Sequence, residues 1–175
     1  IVGLNTEAGE RNEGLVRFDI IFYVRMRNGL AQMIINVEAQ KDEPGSYQIL
    51  NRAIFYVSRL ISSQKERDFV KSNYNDIKTV YSIWVCMNMP ENSMCHIHLT
   101  REDLLGKHNW KGNLNLVNIV MIGLTNALPE SNNEYVLHRL LCAMFSNELS
   151  QQQKMKIMEQ EYHIPMEQNF KEEVS

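Results

Sequence analysis

At 175 residues and 44% hydrophobic, the chain can bury a core of its own and suits one domain with a small appendage. No apolar run is long enough to span a bilayer, so no membrane contact is expected, and three widely spaced cysteines without a C-x-x-C pair argue against a disulfide framework; the cytoplasm is the default compartment. The net charge of −3 argues against a surface coated for nonspecific nucleic-acid binding, but residues 1–80 carry eleven Lys or Arg against ten Asp or Glu while residues 81–175 carry seven against eleven, so phosphate contacts would come from the first half.

Residues 1–14 are polar, and Asn12-Glu13-Gly14 reads as a turn into the first clear strand. Glu13 could add a carboxylate, though a solvated turn residue is the simpler reading. Leu15 to Arg27 is strand-like and leads through Asn28-Gly29, a strong two-residue hairpin signal, into a second strand that ends as Met33-Ile34-Ile35-Asn36-Val37-Glu38-Ala39-Gln40-Lys41. Glu38 and Gln40 are two positions apart and so share one face. If Arg27 pairs with Leu30, Asp19 lies opposite Glu38 and Arg17 opposite Gln40. Directly opposed side chains have Cβ atoms roughly 4.5–5.5 Å apart, where like charges repel. A divalent cation held by Asp19 and Glu38 would remove the repulsion. The competing reading is a wet sheet face, or a register slipped by two.

Lys41-Asp42-Glu43-Pro44-Gly45 breaks the strand, and Ser46 is placed to cap a helix running to about Gln64. Ile49, Leu50, Ala53, Ile54, Val57, Leu60 and Ile61 leave that helix a narrow polar stripe, so it should lie largely buried. Arg52, Tyr56 and Arg59 fall along one line, with Gln48 one turn earlier. Either the stripe borders the acidic pair and holds phosphates, or its arginines neutralise structural carboxylates. Lys65 to Lys78 reads as a surface connection with a short helical turn at Asn73-Tyr74-Asn75-Asp76. Thr79 to Met87 reads as a central strand covered on both faces. Met94 to Leu99 is a further strand carrying Cys95 and the His96-x-His98 pair, both imidazoles on one face; no third ligand stands nearby in sequence. Thr100 to Asn113 is an exposed loop in which Lys107, His108, Trp110 and Lys111 mix basic and aromatic groups. Leu114 to Leu124 fits an edge strand or a helix. From Pro129 the pattern turns helical: Glu134 to Phe145, then Gln151 to Tyr162 behind the capping box Ser150-x-x-Gln153.

Phe18-Asp19-Ile20 with Val37-Glu38-Ala39-Gln40 resembles the acidic hairpin of the PD-(D/E)xK nuclease superfamily. More narrowly, Glu38-Ala39-Gln40, then Arg52 to Arg59, then Tyr81-Ser82-Ile83-Trp84, with the tail Phe145-Ser146-Asn147-Glu148-Leu149-Ser150 and Ile164-Pro165-Met166, is similar to the bacterial PD-(D/E)xK family transposases and recombination-promoting nucleases. The resemblance implies a mixed α/β fold of α+β type: a restriction-endonuclease-like core with a central mixed sheet flanked by helices over residues 1–128, and a helical extension over 129–175. It implies a metal-dependent DNA endonuclease with catalytic Asp19, Glu38 and Gln40, Mg²⁺ or Mn²⁺ on Asp19 and Glu38, and DNA contacts from Gln48, Arg52, Tyr56 and Arg59. DNA is the expected partner and a homodimer one candidate assembly; RNA would use the same residues. Gln40 stands where most members place lysine, and an amide can orient water but carries no charge. The alternative is a catalytically weakened module for DNA binding or assembly. Because the family fold usually begins with a helix and this chain opens on Ile1, the chain is expected to be a piece of a longer protein.

Overall fold

Alternation from Gln32 to Gln40 builds the longest strand among the described residues and sets its two faces. In the computed structural model, the described residues are 2–3, 7–9, 15–17, 19–25, 32–132 and 134–165. The chain divides into two compact units, one of Ile1–Cys86 with Met94–Ile122 and one of Met87–Ser93 with Gly123–Ser175.

The first unit contains strands β1 (Val2–Gly3), β2 (Glu7–Gly9), β3 (Leu15–Arg17), β4 (Ile20–Arg25), β5 (Gln32–Gln40), β6 (Thr79–Cys86), β7 (Ser93–His98) and β8 (Val117–Gly123), the last two reaching one residue into the other unit. A mixed sheet runs in the order β1-β4-β5-β6-β8-β7, and β2 pairs with β3 in a separate ribbon. The β4–β5 ladder is antiparallel, from Ile20 opposite Val37 to Arg25 opposite Gln32, with the offset expected from the sequence. The Asn28-Gly29 turn itself, and Phe18, lie outside the described residues.

The expected single strand from Leu15 is broken. The backbone bends at Asp19, and β3 pairs with β2, so Arg17 stands opposite Glu7 and not opposite Gln40. A local hairpin partner at short sequence separation takes these three residues from the main sheet. Leu114 to Leu124 resolves into a 3₁₀ turn and β8, which is flanked by β6 and β7 and so is an inner strand, with β7 outside it.

β6 runs parallel to β5, placing Asn36 beside Ser82, Glu38 beside Trp84 and Gln40 beside Cys86. Parallel neighbours need a crossover, and α1 (Ile49–Ser62) supplies it. Ile34, Val80 and Trp84 on the sheet and Ala53, Val57 and Leu60 on α1 are nearly or fully inaccessible, which makes this the core of the unit. The opposite face of β6, with Thr79, Tyr81 and Ile83, is only half-buried, so the two coverings expected of this strand are unequal. Ser46 is not the cap of α1. The helix starts at Ile49 behind Gln48, whose side chain makes no capping bond, while its carbonyl accepts from the amides of Asn51 and Arg52. Leu50, Ile54 and Phe55 are exposed, so the helix is less buried than its composition implied.

After α1, the fully buried Gln64 clamps the entry to β6: its amide donates to the carbonyl of Lys78 at 3.0 Å and accepts from the Lys78 N–H at 2.7 Å. Nearby, Asp68 accepts from the Tyr23 hydroxyl and pairs with Lys78 at 2.9 Å and Arg67 at 2.8 Å. Burial pushes its carboxyl up, but the hydrogen bonds from Tyr23, Lys78 and Arg67 outweigh that and hold it below the usual range. Burial and the Asp68 bond push the Tyr23 phenol up to about 12. A carboxyl lowered in the folded state adds stability above its unfolded pKa and loses it as pH falls through the folded value. Asp68→Asn is therefore expected to cost about 1–3 kcal/mol at pH 7 in urea unfolding, with the gap to the parent closing below the carboxylate range. A gap independent of pH would refute the assignment.

In the second unit, Asn92 accepts at its side-chain oxygen from the Thr125 N–H at 3.0 Å, and the Met89 N–H donates to the Leu124 carbonyl at 2.9 Å. A Cβ at Gly123 would meet Ser93 Oγ at 2.5 Å and the Glu91 carbonyl oxygen at 3.3 Å, so the Ser93 hydroxyl would have to turn aside. Helix α2 (Val136–Phe145) is launched by Asn132, whose side chain accepts from the amides of Glu134 and Tyr135, and Arg139 binds both oxygens of Glu161. Helix α3 (Gln151–Lys156) begins with the capping box of Ser150 and Gln153 and runs into a π turn, Ile157–Glu161. Among the described residues, no helix is long and apolar enough to cross a membrane.

Candidate functional site

The face of β5 beneath α1 presents Asn36, Glu38 and Gln40 in succession, because residues two apart point the same way. Val37 and Ala39 face the other way. On this covered face a carboxylate has lost its water and must find partners in the protein.

Glu38 is 2% exposed. Its Oε1 accepts from the buried Asn36 side-chain amide at 2.8 Å and from the Asp19 N–H at 3.1 Å. Asp19 sits at the bend just before β4, exposed, and its Oδ2 accepts from the Ala39 N–H at 2.9 Å. The two acidic residues are therefore laced across the end of the β4–β5 hairpin, Glu38 by the Asp19 amide and Asp19 by the amide of Ala39, the residue after Glu38. The Asn36 oxygen accepts from the Ser82 hydroxyl at 2.8 Å, and Ser82 accepts from the Trp84 indole N–H at 2.9 Å. This chain of donors runs from the core to the carboxylate. Burial pushes the Glu38 carboxyl above its usual range; Asn36 and the Asp19 amide draw it back, the Asp19 charge raises it again, and Arg52 lowers it.

Arg52 closes the site from α1. Its Nη2 lies 3.9 Å from Glu38 Oε2 and donates to the Tyr56 hydroxyl at 3.0 Å; its Nη1 donates to Gln40 Oε1 at 3.3 Å and to the Tyr47 hydroxyl at 3.1 Å. The guanidinium also stacks over Tyr56 and Trp84, 4.9 and 5.3 Å from their ring centroids. Burial lowers its pKa, but the bonds to Tyr56 and Tyr47 carry the net shift upward, so it is a fixed positive charge. The Gln40 amide nitrogen donates to the Asp42 carbonyl at 2.6 Å.

Asp19, Glu38, Gln40, Arg52 and Tyr56 are thus brought together. Gln48 and Arg59 are placed differently. Gln48 is exposed and serves the start of α1 through its carbonyl, and Arg59 is buried, only 3% exposed. Arg59 stands seven residues after Arg52, only about 20° round the helix axis and two turns along it, so it keeps the same side of α1 but lies where that side is buried. Asn36, Tyr47, Ser82 and Trp84 escaped the sequence reading as site members. Asn36 was legible, standing two before Glu38 on the same face; Ser82 and Trp84 needed the parallel register, which no turn residue announces.

Asp19 and Glu38 have the oxygen donors that a hard divalent cation takes. Protein amides engage Oε1 of Glu38 and Oδ2 of Asp19, and Glu38 Oε2 faces Arg52 Nη2 at 3.9 Å, so a cation on Oε2 would require the guanidinium to move aside. Among the described residues, no three His, Cys, Asp or Glu side chains form a metal-holding group, so the remaining positions would fall to water or phosphate, as Mg²⁺ sites commonly arrange. No family model, curated protein or solved structure matches this chain.

Proposed function

We propose that the chain carries a restriction-endonuclease-like core and acts as a metal-dependent DNA endonuclease of the kind used in transposition or recombination. The observation that carries this reading is the buried Glu38 carboxylate, raised above its usual range, beside Asp19 and under the Arg52 guanidinium at the end of β5. A buried acid with one exposed acidic neighbour and a stacked arginine is costly to maintain as mere structure and suits a phosphate substrate. The order hairpin, α1, then β6 parallel to β5 agrees with the resemblance.

Asp19 and Glu38 would hold Mg²⁺ or Mn²⁺. When bound, such an ion polarises the scissile phosphate and acidifies a water. Arg52 has the planar donor pair that grips a phosphate, and Tyr56 and Tyr47 hold it in place. Moving Arg52 onto a phosphate frees Gln40 Oε1, which then can accept from the attacking water and orient it. Phosphate capture and water positioning are thereby coupled through one hydrogen bond.

One observation favours the weakened module. In the present arrangement Arg52 occupies the neighbourhood of Glu38 and Gln40 that a cation and a lysine would share. Incubation of supercoiled plasmid with the chain in Mg²⁺, Mn²⁺ or EDTA separates the two. Nicking in either metal and none in EDTA is the expected result; DNA binding without nicking in any metal would leave the binding module.

A further inference from the structure

We propose that His96 and His98 form a second, independent site, a pair of imidazoles that binds a borderline transition-metal dication such as Zn²⁺ or Ni²⁺. Both are exposed on β7, two residues apart and so on one face, with ring centroids 4.9 Å apart. Bonds of about 2.0–2.1 Å from imidazole nitrogen to metal place each centroid roughly 3.2 Å from the ion, so two rings sharing it at right-angle to tetrahedral geometry stand about 4.5–5.2 Å apart. The observed separation falls within that span.

The hydrogen bonds fix which nitrogen each ring offers. Asn118 is fully buried and its amide nitrogen donates to the carbonyls of Asn115 at 3.1 Å and Val80 at 3.4 Å. Its oxygen therefore faces His96 Nε2, 2.8 Å away, and that nitrogen must carry the proton. His98 Nδ1 lies 3.2 Å from the Leu99 carbonyl, an acceptor only, so there too the proton is on the engaged nitrogen. Each ring is held in the tautomer that bares its other nitrogen, Nδ1 of His96 and Nε2 of His98. Donation of the second ring N–H to an oxygen is how metal-binding histidines are oriented. The Tyr81 ring, stacked on His96 at 6.4 Å and 17°, restrains it further.

Alternation along β6 puts Tyr81 on the face away from Ser82, Trp84 and Glu38, so the imidazole pair and the carboxylate pair lie on opposite faces of the sheet. Their chemistry differs too: imidazole prefers Zn²⁺ and Ni²⁺, carboxylate Mg²⁺. Water would fill the remaining coordination positions.

Isothermal titration of the tag-free chain with Zn²⁺, and separately with Ni²⁺, tests the site. Uptake of one equivalent, weakened at least about tenfold by His96→Ala and by His98→Ala, is expected. Both substitutions are on the surface, and circular dichroism melts matching the parent will exclude unfolding. Cys95→Ser, on the other face of β7, and Asp19→Ala are expected to leave this uptake in place. No uptake of either metal, unchanged affinity in both histidine variants, or loss in Cys95→Ser would overturn the proposal.

Discussion

Glu38→Gln is expected to lower Mg²⁺-dependent nicking on the order of a thousandfold while leaving the fold as stable as before or more so. The two halves have one cause. Glu38 is buried and its carboxyl is raised, which means that folding penalises the ionised form relative to the unfolded chain. A group raised in the folded state contributes stability below its unfolded pKa, and that contribution is lost as pH rises through the folded value. At pH 7 the ionised carboxylate is thus a burden on the fold, relieved by Asn36, the Asp19 amide and Arg52. Glutamine keeps the shape and an acceptor for the Asn36 amide, so the gain is up to about 1–2 kcal/mol, vanishing as pH falls below the raised range. Losing activity while gaining stability marks a carboxylate kept for chemistry. Metal affinity of the parent should fall over that same raised range, because the cation needs the ionised form. Asp19→Ala should match the loss in nicking without the gain in stability, since Asp19 is exposed. Calorimetric Mg²⁺ titration and plasmid nicking, each beside urea unfolding, read these effects. Nicking unchanged in Glu38→Gln would end the nuclease assignment for this site.

The parts of the structure written locally in the sequence were legible there. Asn28-Gly29 and the alternating residues beside it carried the offset of the β4–β5 ladder, and Ser150 with Gln153 carried the start of α3. Glu38 and Gln40 declared their shared face by spacing alone. What failed depended on competition between distant partners. Nothing in Leu15 to Arg17 reveals that Glu7 to Gly9 will pair with it, because three-residue strands have no pattern strong enough to rank one partner above another. Ser46 has the chemistry of a cap, yet the helix begins at Ile49 with Gln48 in the cap position. Arg59 was placed by spacing on the side of Arg52, and the helix keeps it there, but two turns further along that side is buried, which spacing alone does not reveal. The polar chain of Asn36, Ser82 and Trp84 lies across two strands nearly fifty residues apart, and its register is set by α1 and the loop after it.

That chain makes Asn36→Leu the most destabilising single polar substitution expected in the first unit. The side chain is fully buried and serves three groups: it donates to Glu38 Oε1 at 2.8 Å and to the Ile20 carbonyl at 3.4 Å, and accepts from Ser82 Oγ at 2.8 Å. Leucine fills a similar volume, so the loss is one of partners. Glu38 keeps only the Asp19 amide and the distant Arg52, and the Ser82 hydroxyl, which already accepts from Trp84, has no acceptor for its own proton. Orphaning a buried hydroxyl and half-orphaning a buried carboxylate together cost about 3–5 kcal/mol. The carboxylate share depends on charge, so it should be recoverable: with Glu38→Gln in the same chain, about 1–2 kcal/mol of the loss returns, which is the non-additivity expected of residues in direct contact. The Glu38 titration should also move further upward in Asn36→Leu, because the amide bond that draws it down is gone. Urea unfolding of the parent, both single variants and the double variant measures the cycle. Additivity within about 0.5 kcal/mol would show that Asn36 stabilises the sheet independently of the carboxylate, and the buried polar chain would then have no part in tuning Glu38.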